Sequence, residues 1–192
     1  MNERAKVIPL QGQALVLRIE LLGITPTIYR TVVVPANIML PKLHVTILRA
    51  MGWQGGHLHE FMIDGVHYGE PDPEFPEPDL KPERRVRLGK ALGLEMAFGY
   101  LYDYGDDWQH GITVLGRIDL RGRMTYPQCL EGANACPPED VGGVPGYEDF
   151  VAAMADPAHP EHDHLRRWHG GPYDPTAFDL QEAQQRLADI KL

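Results

Sequence analysis

The segment Tyr102-Asp103-Tyr104-Gly105-Asp106-Asp107-Trp108-Gln109-His110 gathers three carboxylates and an imidazole around one glycine. Asp106 or Asp107 with His110 could hold a divalent metal, activate water or receive a cationic group. The same residues also suit a plain hairpin turn, because Gly-Asp is turn chemistry and aspartates cap turn amides. Asp103, Tyr104, Asp106, Asp107, Trp108 and His110 are therefore candidate binding residues, with a structural reading standing beside the functional one.

Further metal-type donors lie elsewhere. His57 and His59 are two residues apart and in a strand would share a face, although Phe61 and Ile63 share it too. The two cysteines, Cys129 and Cys136, are spaced C-x6-C, wider than the pairs that usually grip zinc. Two thiols cannot fill a tetrahedral site, so a zinc ion would have to recruit His57, His59 or His110 as well. His159, His162, His164 and His169 sit among acids and arginines, without the i, i+4 spacing of a helical zinc grip, and read as a solvated helix face.

Several chemistries are excluded. The 192 residues contain no serine, which removes every serine-nucleophile mechanism. G-x-S-x-G, G-x-x-x-x-G-K-[ST], H-E-x-x-H and G-x-G-x-x-G are all absent. Gly142-Gly143 before a helix start could receive an anion, but Glu139 and Asp140 just ahead oppose it. The net charge of −9 disfavours nucleic acid as a partner. No apolar run approaches the ~18 residues of a membrane span, and MNERAKVIPL holds no apolar signal core, so the expected location is cytoplasmic.

The elements that must position these residues can be read from periodicity. Leu15, Leu17, Ile19 and Leu21 alternate with polar residues as a half-buried strand, and a second strand over 28–34 completes a hairpin. Pro41 opens a helix carrying Leu43, Ile47, Ala50 and Met51 on one face, stopped by Gly52. A strand over 57–63 turns back at Asp64-Gly65. Residues 70–79 hold five acids and four prolines and should form an extended surface loop. Phe98, Tyr100 and Tyr102, then Trp108, His110, Ile112 and Val114, define a long central hairpin. Residues 127–145 show only turn chemistry. Helices then follow over 147–154 and 160–168, and a last one is capped by Asp179 with Glu182 three positions on.

The expected fold is α+β: an antiparallel or mixed sheet with a packed helix and a helical C-terminal extension. Residues 1–126 would form the core, with 127–192 packed on the same domain. Twenty glycines and seventeen prolines, about a fifth of the chain, agree with a loop-rich mixture rather than a bundle.

Taken in order, Pro26-Thr27-Ile28-Tyr29-Arg30, Met51-Gly52-Trp53, His57-Leu58-His59-Glu60-Phe61, the 102–110 string and Cys136-Pro137-Pro138-Glu139-Asp140-Val141-Gly142-Gly143 resemble the plasmid pRiA4b ORF-3-like family. Gly170-Gly171-Pro172-Tyr173-Asp174-Pro175 resembles its tail. The resemblance implies a β-grasp-like core and no established biochemical activity. Its marked positions fall on His57, His59, Asp103, Asp106, Trp108 and His110, and on Cys129, Cys136, Glu139 and Asp140. Tyr29 stands where the family often has Trp, and the histidine-rich helix replaces a stretch usually filled by acids. Some members carry a label as resolvases of mobile elements, which the missing serine and the acidic charge oppose. Two functions remain. One is a binding or accessory domain for a small molecule or a protein, recognising it through the 102–110 turn and the 129–146 loop. The other is a metal-dependent, zinc-type hydrolytic enzyme.

Overall fold

The structure, a computed structural model, describes residues 12–71, 78–120, 122 and 124–192. Strand β1 (Gln13–Leu21) turns into β2 (Ile28–Pro35), pairing Leu17 with Val32 and Ile19 with Arg30. The alternation works as expected: Leu15, Leu17, Ile19 and Leu21 are all buried. Helix α1 (Leu40–Met51) has a proline in its first turn and ends at Gly52, which adopts φ 109° and donates its N–H to the Leu48 carbonyl. This hairpin followed by a packed helix is the grasp-like opening that the resemblance implies.

Strands β3 (His59–Ile63) and β4 (Val66–Gly69) meet at the Asp64-Gly65 turn, and β5 (Leu80–Pro82) runs parallel to β4. The surface loop expected over 70–79 falls largely outside the described residues. A short helix α2 (Leu88–Leu92) leads to the central hairpin of β6 (Ala97–Tyr102) and β7 (Trp108–Asp119). The sheet order is β5-β4-β3-β6-β7-β1-β2, with β8 (Gln128–Ala133) on the far edge beside β2. The fold is thus α+β with a mixed sheet.

Strand β8 lies where only turns are legible in the sequence. Its residues show no apolar alternation because it is an edge strand in which Cys129 alone is buried, and a register shift leaves Leu130 47% exposed. Segment 127–192 therefore extends the sheet before it turns helical. Helix α3 (Gly143–Ala155) begins four residues earlier than the apolar pattern indicates, with Gly142 as its left-handed cap. Helices α4 (His162–His169) and α5 (Leu180–Ala188) follow. Asp179 accepts the Glu182 N–H at 3.0 Å, so the last helix is capped as its sequence indicates. One histidine departs from the solvated-face expectation: His162 is buried and bonds the Ala153 carbonyl at 2.8 Å, while His164 is exposed.

The core lies between the inner face of the sheet and α1. Trp53, just past the helix, sits 5.1 Å from the Tyr102 ring and 6.0 Å from Trp108. The central hairpin is thereby clamped from above, and its turn inherits that rigidity.

Candidate functional site

The 103–107 turn is built by Asp103. Its Oδ1 accepts the Gly105 and Asp106 N–H groups at 2.9 and 3.3 Å, and its carbonyl accepts the Asp107 N–H at 2.7 Å. Asp103 and Asp107 both adopt positive φ, 60° and 54°, a conformation that aspartate tolerates better than most side chains. With Oδ1 committed to the turn, Asp103 Oδ2 faces outward, 3.3 Å from His57 Nδ1.

The loop carrying Cys136-Pro137-Pro138-Glu139-Asp140 docks on this turn. Glu139 Oε1 accepts the Tyr102 hydroxyl at 2.6 Å and the Gly55 N–H at 3.1 Å, and Oε2 accepts the Gln54 N–H at 3.0 Å. Trp53 donates its indole N–H to the Pro137 carbonyl at 2.9 Å. Asp106 Oδ2 accepts the Gly142 N–H at 3.2 Å. The anion-receiving position before α3 is therefore answered by the chain's own carboxylate. Gly143 explains part of the motif: a Cβ there would lie 2.4 Å from the Asp106 carbonyl oxygen.

Asp140, also at positive φ, comes to 3.3 Å from His57 Nε2. His57 thus has a carboxylate at each ring nitrogen, one from each motif. One ligand atom from each of His57, Asp103 and Asp140 lies within 4.8 Å of the others. The side chains are 32%, 11% and 71% exposed, so the cluster is anchored inside and open outside.

His59 goes elsewhere. Pairing in β3 begins at His59, so His57 precedes the strand and the shared-face rule does not reach it. His59 bonds Glu83 at 3.1 Å and stacks on His44 at 3.5 Å. His44 in turn meets the Tyr100 hydroxyl at 2.7 Å, and burial, with His59 adding, lowers its pKa to about 3. His110 is 2% exposed and donates from Nδ1 to the Trp108 carbonyl at 2.9 Å. Burial holds it neutral, with a pKa pushed down to about 4. Trp108 is 1% exposed. Among the described residues, Trp108 Nε1 and His110 Nε2 are buried side-chain atoms with no hydrogen-bond partner. Both residues support the turn from beneath rather than line its surface.

The cysteines stay apart from the cluster. Cys129 sits on β8, its thiol 3.6 Å from the Glu131 carbonyl. Desolvation raises both thiols, that of Cys136 to about 12, which favours the form that does not bind metal. Among the described residues, the one converging group of three or more metal-type donors contains neither cysteine, nor His59, nor His110. Asp107 holds the Gln109 amide at 3.0 Å, and the Tyr104 hydroxyl donates to Glu60 at 3.2 Å.

Trp53 and Tyr102 also belong to this site; both lie in strings that carry the family resemblance, but neither is named as a candidate site residue from the sequence, where each reads as a core aromatic. Arg30, which lines a neighbouring cleft rather than this site, is likewise not named as a site residue from the sequence. It occupies an inward register position between Ile28 and Val32, and that placement is the signal that marks it.

The fold and its site define an α+β protein in which two acidic motifs, one on the central hairpin and one in a long loop, close on a single histidine. The family model for plasmid pRiA4b ORF-3-like protein matches residues 13–182. The chain belongs to that family. It is 39% identical over 177 residues to an uncharacterized protein, y4hQ, of Sinorhizobium fredii (strain NBRC 101917 / NGR234), covering 91% of this chain and 90% of that one. It is also similar to the crystal structure of a protein of unknown function, MM3350, from Methanosarcina mazei Go1. That similarity has a TM-score of 0.78 at 33% identity, over 88% of this chain and 97% of that one. Among the described residues, no helix is long and apolar enough to cross a membrane.

Proposed function

We propose that this protein is a binding domain whose recognition surface is the junction of the 103–107 turn with the 136–143 loop, and that the junction takes one divalent cation of zinc type. The observation carrying this reading is His57 flanked at 3.3 Å by Asp103 and by Asp140. One ligand atom from each of His57, Asp103 and Asp140 lies within 4.8 Å of the others, close enough for one divalent cation to be held among them. Two ligand bonds of ~2.0–2.2 Å, meeting at roughly 100°, span either 3.3 Å nitrogen–oxygen separation; an ion uses one ring nitrogen, with the other carboxylate as the third member of the group. Asp103 is held by its own turn, so it is aligned before the ion arrives.

Elemental analysis and calorimetric titration of metal-stripped protein with zinc test this. One ion per chain is expected, with affinity falling about tenfold or more in His57→Ala and in Asp140→Asn and unchanged in Cys129→Ala. Titrations indistinguishable among wild type and these two variants would refute the site.

A hydrolytic reading rests on the ligand count. Three protein ligands with an exposed outer side would leave an ion positions for water, and metal-bound water is a nucleophile near neutral pH. Zinc-loaded protein would then cleave an activated ester such as p-nitrophenyl acetate, and Asp140→Asn would abolish it. Zinc binding without turnover would favour the binding domain.

A further inference from the structure

A cleft of about 870 Å³ lies between the C-terminal end of α1, the 135–139 loop and the 173–186 segment. That is the size of a small-molecule site. Its floor contains Arg30, which is 2% exposed. Arg30 donates to four backbone carbonyls: Ala50 from Nε, Tyr29 and Ala133 from Nη1, and Asn134 from Nη2. A guanidinium has five N–H donors, so one on Nη2 remains. Among the described residues no carboxylate lies within ion-pair distance of Arg30, and a buried charge without a counter-charge is costly. Arg186, on the same cleft, is near enough to repel it.

The acids lining the cleft are already engaged. Glu139 is held by Tyr102 and two amides, Glu182 pairs with Arg186 at 2.6 Å, and Asp179 caps α5. Arg30 is a buried group on the cleft that keeps an unfilled N–H donor. The walls are aromatic, with Trp53 and Tyr173, and the Phe178 ring lies 4.4 Å from the Arg30 guanidinium. One remaining N–H suits a single carboxylate oxygen better than phosphate, which usually takes several donors at once.

We propose that this cleft binds a small organic carboxylate bearing a planar apolar ring, its carboxylate toward Arg30 and its ring among Trp53, Tyr173 and Phe178. The site is separate from the His57 cluster and does not depend on metal.

Benzoate is the probe, with inorganic phosphate at equal ionic strength as the comparison, followed by nuclear magnetic resonance on the full chain. Saturable shifts are expected at the Trp53 indole N–H and at the amides of Gln54, Ala135 and Ala177, with benzoate and not with phosphate. Ala177→Trp, at an exposed lining position, should weaken benzoate about tenfold while leaving the rest of the spectrum folded. His57→Ala should leave benzoate binding unchanged, so failure of the metal site would not mimic failure of the cleft. No saturable shift at these positions up to ~20 mM, equal shifts with phosphate, or full binding by Ala177→Trp would each overturn the proposal.

Discussion

The Tyr102 hydroxyl donates to Glu139 at 2.6 Å, joining the end of the central hairpin to a loop 37 residues further along the chain. Desolvation, with Glu139 second, raises the phenol's pKa and keeps it a donor. Glu139 also takes two amides beyond α1, so one carboxylate ties the helix end, the hairpin and the loop together.

Removing one partner of that bond should be measurable. Tyr102→Phe keeps the ring and loses a hydrogen bond to a charged acceptor, worth about 1.5–3 kcal/mol in urea unfolding. Glu139→Ala should cost more, because it strands the hydroxyl and both amides. Equal stability of the two variants would show that the amide contacts contribute nothing.

Gly143 should resist substitution. An added Cβ would meet the Asp106 carbonyl oxygen at 2.4 Å, and the residue's φ is +67°. Gly143→Ala is expected to cost about 2 kcal/mol or more and to weaken zinc by displacing Asp140. Gly170, at φ +85° with nothing within 4 Å of its Cβ position, is the control for backbone strain alone, with about 1 kcal/mol expected for Gly170→Ala. Calorimetry with zinc separates the two, since only Gly143→Ala should move the affinity.

Trp108→Ala should destabilise by about 3–5 kcal/mol, because the indole is 1% exposed in the core beneath the turn. Trp108→Phe should cost markedly less, since the indole N–H it removes has no partner among the described residues. A Phe variant as unstable as the Ala variant would mean that the N–H is bonded after all.

Stability should fall on mild acidification. In the unfolded chain His110 takes up a proton near its ordinary value of 6.5, whereas the buried imidazole does so only near 4. Between those values the unfolded state binds more protons, so stability is full above pH 6.5 and declines as pH falls toward 4. The loss from His110 at pH 5 is about 2 kcal/mol. His44, lowered to about 3, acts in the same direction. Urea unfolding of His110→Phe at pH 7 and pH 5 checks this, because the variant should lose that share of the difference. An unchanged difference would assign the effect to other groups.

Much of the fold could be read locally. The Leu15–Leu21 alternation, the Gly52 stop and the Asp179 cap each depend on residues a few positions apart, and each is present. Strand β8 was not legible, because an edge strand buries little and needs no periodic pattern. The donor set divided in the same way. The Asp103 turn is local and follows from its residues, while pairing His57 with His59 extends a strand alternation two residues beyond where the strand begins.

Residue types and short spacings by themselves decided most of the strands, helices and turns, which chemistries are missing and which motifs are unusual. Side-chain periodicity, turn residues and caps act over a few positions and are enough for that. Only the packed chain decided that His57 meets Asp103 and Asp140, that His110 turns inward, and that Arg30 is buried without a carboxylate. His57 and Arg30 there meet groups 46 to 104 positions away, and no local pattern encodes which buried charge will lack a partner.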